Sequence, residues 1–146
     1  MKVVYFCRES LLKFLRTYAY QYILMTFSDT FMVYSAAGND IYAWRRGCEL
    51  KHTYKGHQSK VKLLLPFGPH LISIDEESQL FVFDIKAESQ IIHIEFDKKM
   101  FDITTVCHPM TYKDKILLGS SQVNVQCYSI KIQCFAVEMK GLYRLG

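Results

Sequence analysis

The stretch Lys55–Ile85, KGHQSKVKLLLPFGPHLISIDEESQLFVFDI, decides the fold. Gly56-His57 opens it. Apolar runs of strand length follow at Val61–Pro66, His70–Ile74 and Leu80–Ile85. Turn signals separate them: Gly68-Pro69 in one gap, and Asp75 to Ser78 in the other. Phe81, Phe83 and Ile85 alternate with polar or opposite-facing positions, the period of a half-buried strand.

The same grammar continues on both sides. Before it stand Tyr22–Phe27, Phe31–Ser35, Ile41–Trp44 and Leu50–Tyr54. After it come Gln90–Phe96, Ile103–Cys107, Lys115–Leu118, Val123–Ile130 and Gln133–Met139. Gly38-Asn39-Asp40 and Gly119-Ser120-Ser121 mark further turns. Many short strands at regular spacing predict an antiparallel all-β fold. Trp44, Phe83 and Tyr128 close alternating runs that lie 39 and 45 residues apart. Four strands in about 40 to 45 residues is the period of a WD-repeat propeller blade. The expected architecture is an incomplete WD-repeat β-propeller of about three four-stranded blades. It occupies residues 21–140, after a distinct segment 1–20 and before a tail at 141–146. Within the first segment, Leu11, Leu12, Phe14 and Leu15 read as a short amphipathic helix with Ser10 as N-cap. A strand over Val3–Cys7 is equally open.

Composition narrows the class. The chain has 146 residues, of which 50% are hydrophobic, 14% aromatic and 22% charged, which excludes a disordered tail. The longest uncharged run near the start, Thr17–Ser28, is 12 residues and falls short of a bilayer span, so no membrane contact is expected. Charged residues at Arg8, Glu9, Lys13 and Arg16 interrupt any secretory h-region. The five cysteines, an odd number without a C-x-x-C pair, read as reduced thiols, most of them serving as small core residues.

The second blade carries a near-copy of the buried network that pins such blades. The slots for histidine, hydroxyl, acid and tryptophan hold His57, Ser73, Glu77 and Phe83. Phe83 has no indole N–H, and Glu77 is one methylene longer than aspartate. The network therefore reads as incomplete, with His57 packing in its turn. In the third blade Tyr128 fills the aromatic slot, but Leu118 and Gln122 fill the other two.

Longer strings carry a resemblance. They are Leu50 to His57, Leu64 to Asp75, Phe96-Asp97-Lys98, His108-Pro109-Met110-Thr111-Tyr112 and Lys115 to Ser120. In order, spacing and identity, over about residues 23 to 140, the chain resembles the long WD-repeat subunit of the small-subunit processome. That is the family of WD repeat-containing protein 36 and U3 snoRNA-associated protein 21. The resemblance implies a protein-interaction scaffold in the nucleolus of the nucleus, acting in pre-rRNA processing and small ribosomal subunit biogenesis. It implies other ribosome-assembly proteins as partners, and pre-rRNA or snoRNA contact as an alternative. Full members carry two tandem propellers and a helical C-terminal region. Against them this chain reads as a fragment, a divergent copy or an incomplete gene model, with a non-functional fragment as a further alternative.

No nucleophile elbow, P-loop or metal-ligand spacing is present, and His52, His57, His70, His93 and His108 are scattered. No enzyme, cofactor, metal or small-molecule substrate is expected. The formal net charge is +4. Arg45, Arg46, Lys51, Lys55, Lys60 and Lys62 gather around the link between the first two blades and are the candidate partner-binding positions. The same lysines also suit an outer edge strand protected against aggregation. An open arc would leave apolar faces at its ends: Phe31, Val33 and Ile41 at one, and Val123, Val125, Phe135 and Val137 at the other. Self-association, aggregation or folding against a partner is expected from them.

Overall fold

A computed structural model describes residues 23–27, 32–45, 49–109, 115–122, 124–133 and 136–145. Side chains are described for 32–45, 49–109, 115–122 and 124–128. The proposed helix or strand within residues 1–20 lies outside these residues.

The described chain is all strand, in three four-stranded antiparallel sheets. The first comprises β1 (Ile23–Phe27), β2 (Val33–Ala37), β3 (Asp40–Arg45) and β4 (Glu49–Tyr54). The second comprises β5 (Val61–Phe67), β6 (His70–Asp75), β7 (Gln79–Asp84) and β8 (Ser89–Glu95). The third comprises β9 (Ile103–Cys107), β10 (Lys115–Ser120), β11 (Val125–Gln133) and β12 (Ala136–Leu145). Each is a meander, so each strand pairs with its neighbours in sequence. The leading strands β1, β5 and β9 lie side by side, which makes them the inner edges of consecutive propeller blades. Pro66 sits on β5, an edge strand where a missing N–H costs no ladder bond. The expected tail is in part a strand: Gly141 to Leu145 pair with β11, from Tyr128↔Gly141 to Val125↔Leu145.

The alternation of the second sheet builds two cores. Leu71, Phe81 and Phe83 turn to the first sheet and pack with Tyr34, Ala36, Ile41, Ala43 and Tyr54. Ile72, Ile74, Leu80, Val82 and Ile92 turn to the third and pack with Phe101, Ile103, Ile116 and Leu118. The period of two assigns neighbours on one strand to opposite faces, and here both faces are apolar. Val33 and Ile41, expected as uncovered, are buried; Ile41 is closed over by the second sheet. Val125 at the other end is exposed. Phe31, Val123, Phe135 and the Val137 side chain lie outside the described residues. Most of the cysteines were expected in the core; of the two described, Cys107 is exposed and Cys127 half-buried, both free thiols, and Cys7, Cys48 and Cys134 lie outside the described residues.

Candidate functional site

The second sheet holds a buried polar network at the end of β6. His57 Nε2 lies 2.6 Å from Ser73 Oγ, and His57 Nδ1 lies 3.0 Å from Asp75 Oδ2. A carboxylate only accepts, so Nδ1–H donates to Asp75 and the Ser73 hydroxyl donates to Nε2. All three residues are buried. The other Asp75 oxygen accepts the backbone N–H groups of Glu77 and Gln79, each at 3.0 Å. Asp75 thus caps the β6–β7 turn and orients His57 with the same carboxylate.

This corrects the expected acid. Glu77 is exposed at the turn tip and pairs with Lys98 at 3.3 Å. The acid is Asp75, whose short side chain at the strand end reaches both the turn and the imidazole. The network is accordingly complete on its histidine, hydroxyl and acid side. Its gap is at Phe83, which is buried and packs against Tyr54 with ring centroids 5.0 Å apart. The ring against His57 is instead Phe81, at 4.2 Å, and His93 stacks on its other flank at 4.2 Å. The first sheet carries the complementary half. Trp44 Nε1–H donates to Ser35 Oγ at 2.9 Å, in the positions that Phe83 and Ser73 occupy one sheet later. Ala37 stands there where Asp75 stands in the second sheet. The signal was in the sequence: Ser35 lies nine residues before Trp44, and Asp75 two after Ser73.

A serine, histidine and aspartate in hydrogen-bond series resemble a hydrolytic triad. Here Ser73 and Asp75 have no solvent exposure, and Phe81 lies against the imidazole. The hydroxyl is withheld from any substrate, and the arrangement acts as an internal brace. Burial holds the His57 imidazole below its ordinary titration range, against the opposing pull of Asp75. His70 is also buried and shifted downward by desolvation, and its Nδ1 has no hydrogen-bond partner. Among the described residues no group of three or more potential ligands stands together for a metal ion.

The structure distributes the basic candidates. Lys51 pairs with Glu88 at 3.2 Å, and His52 meets the same carboxylate at 3.3 Å. Lys62 pairs with Asp102 at 3.0 Å. Arg45 lies at the β3–β4 end of the first sheet, beside Glu49. Lys55 follows Tyr54 at the opposite end, about 20 Å away along a six-residue strand. Lys60 shares that end, and its carbonyl accepts from Glu76. Lys55 and Lys60 are exposed. Arg46 lies outside the described residues. The five described positions therefore do not form one patch; among them only Lys55 and Lys60 share a linker.

Comparison with known proteins agrees with this geometry. The family described as the WDR36/Utp21 first beta-propeller matches residues 2–143. Human WD repeat-containing protein 36 is 40% identical over 104 residues, 71% of this chain and 12% of that protein. The U3 small nucleolar RNA-associated protein 21 homolog of Schizosaccharomyces pombe is 29% identical over 119 residues, 75% of this chain and 12% of that protein. The chain thus spans about an eighth of the length of these relatives. Among solved structures, U3-55K superposes with a TM-score of 0.69 at 14% identity, covering 86% of this chain and 39% of that one. The C-terminal WD40 domain of Sif2 superposes with a TM-score of 0.62 at 16% identity, covering 73% and 31%. At such identities these two structures speak to the fold alone.

Proposed function

Because the chain belongs to the WDR36/Utp21 first beta-propeller family, we infer that it is a protein-interaction scaffold of the small-subunit processome, acting in pre-rRNA processing in the nucleolus. Its work is to present surface rather than to catalyse. The relative named for U3 small nucleolar RNA association supports that setting.

One observation favours protein contact over a basic RNA-binding surface. Of the candidate cations, Lys51 and Lys62 are engaged by Glu88 and Asp102, and Arg45 stands apart from Lys55 and Lys60. Residues 1–20 hold Lys2, Arg8, Lys13 and Arg16 against Glu9 alone, three of the chain's four net charges. A phosphate-binding surface needs several unpaired cations together, since each phosphate contact contributes about 0.9 to the salt slope.

The test is affinity purification of the tagged chain from nucleolar extract, with and without ribonuclease. Recovery of ribosome-assembly proteins that persists after ribonuclease is expected. A chain that recovers none of them, or loses all of them with the RNA, would sink the reading. Binding to structured RNA should be weak and should depend only shallowly on salt. A slope steeper than about four contacts would instead support the RNA-contacting alternative.

A further inference from the structure

Val33, Ser35 and Ala37 alternate along β2 and share one face of the first sheet, the face turned away from the second. By register Ile23, Met25 and Phe27 on β1 belong to that face, as do Asp40, Tyr42 and Trp44 on β3. Apart from Ser35 and Asp40 all of these are apolar or aromatic. The opposite face, with Tyr34, Ala36, Ile41 and Ala43, packs against the second sheet. A sheet apolar on both faces is an interior layer and needs a cover on each side.

The outward face has its cover. Val33 is 4% exposed, Ser35 2% and Ala37 4%, although no described sheet stands over them. The third sheet gives the contrast: no described sheet stands over its outward face either, and there Val125 is 37% exposed. Tyr42 and Trp44 flank β2, and the Trp44 indole reaches Ser35. Both rings are themselves half-buried, so they are part of the covered surface and not its cover. The burial is that of the single chain, so the chain itself supplies what lies there. Of the residues outside the described ones, 28–31 and 46–48 only join neighbouring strands of the first sheet. Residues 110–114, 123 and 134–135 fall within the third sheet, on the far side of the second. Residues 1–22, which lead into β1 at Ile23, are the one remaining stretch long enough. A five-residue strand such as β2 is about 17 Å long. Some ten residues of helix span about 15 Å, and fewer are needed as strand, so the stretch suffices in either form.

We propose that residues 1–20 close this face in cis, with Leu11, Leu12, Phe14 and Leu15 as the apolar contact to Val33, Ala37, Tyr42 and Trp44. The apolar set of the segment then meets the apolar set of the sheet, and the first sheet is an interior layer of this chain. A partner reaches the Trp44 face only by displacing the segment. The contact is independent of the assembly role above.

Trp44 is the chain's one tryptophan and stands on the face in question, so its emission reports on the cover. In the full chain, benzoylphenylalanine placed at position 14 and irradiated should cross-link to peptides from the first sheet, read by mass spectrometry. Leu12→Lys and Phe14→Lys should each move Trp44 emission to longer wavelength and raise its quenching by acrylamide, because an unpaired charge does not stay in an apolar contact. Hydrogen exchange in β6 and β7 should remain slow in both, which separates loss of the cover from unfolding. If β6 and β7 lose protection as well, the cross-link alone decides. Lys13→Ser, between the apolar positions, should leave the emission unchanged. Cross-links that are absent or confined to the second and third sheets would overturn the proposal. So would Trp44 emission that neither lysine substitution moves.

Discussion

His57 shows what a single side chain contributes to this fold. Its two ring nitrogens are both used, one by a carboxylate and one by a hydroxyl, and all three groups are shut off from water. His57→Ala should cost about 3 kcal/mol, because it strands a buried carboxylate as well as deleting two hydrogen bonds. Urea unfolding measures this, and a loss below about 1 kcal/mol would mean the network is not formed. The buried histidines also set a pH dependence. His57 and His70 are both held below their ordinary range by desolvation, with Asp75 opposing and His93 adding to the effect at His57. In the unfolded chain each takes up a proton near pH 6.5. Below that value the unfolded state binds more protons than the folded one, so stability falls as pH drops. It is complete above about pH 6.5. Thermal midpoints between about pH 5 and 8 should decline on the acid side, and a flat profile would contradict neutral burial.

Among the elements, the link from β8 to β9 does the joining. Asp102, at its end, accepts from Lys62 Nζ and Ser78 Oγ, each at 3.0 Å, and its own N–H donates to Gln122 at 2.9 Å. Ser78 in turn accepts the Ile103 N–H at 3.0 Å. These bonds tie the β6–β7 turn and the inner strand β5 to the Asp102 carboxylate, and the β10–β11 turn to its backbone N–H. They also hold Ser78 at a φ of 60°, a left-handed conformation that costs a side-chain-bearing residue about 1–2 kcal/mol. The lysine and serine keep the Asp102 carboxyl below its usual range. Asp102→Ala should destabilise by about 1–2 kcal/mol, whereas Glu77→Ala, which removes only an exposed pair with Lys98, should change little. Equal effects in denaturation would show that the link is not a joint. Nothing in the sequence near Asp102 announces this, because its partners lie 40, 24 and 20 residues away.

At the scale of the whole molecule, protection should be uneven. The second sheet is covered on both faces, and β6 and β7 have strand neighbours on both sides. Among the described residues no sheet covers the outward face of the third, where Val125 and Cys107 are exposed. Stability in stacked repeats is a sum of intrinsic and nearest-neighbour terms, so the central unit gains two interfaces and an end unit with an open face gains one. Amide hydrogen exchange should therefore be slowest in β6 and β7 and clearly faster in β9 and β10. Uniform protection across the described strands would argue for a covering of the third sheet that this arrangement does not provide.

The sequence by itself determined the strands, their order and the class of fold. The twelve described strands follow the twelve apolar runs in order, because strand periodicity and turn chemistry are local, although β12 runs on to Leu145 through the expected tail. It also placed His57 and Ser73 in one network, through the blade period. The tertiary structure decided what depends on approach between distant residues. Asp75 and not Glu77 meets His57, because a strand-end aspartate can serve the turn and the imidazole at once while the tip residue faces water. Lys51 and Lys62 are bound by carboxylates 37 and 40 residues away, so a set of cations adjacent in sequence is not a patch in space. Ile41 is buried and Val125 exposed, although both are apolar strand residues. Which face of a strand meets a neighbour depends on whether another sheet stands there, and no local pattern encodes that.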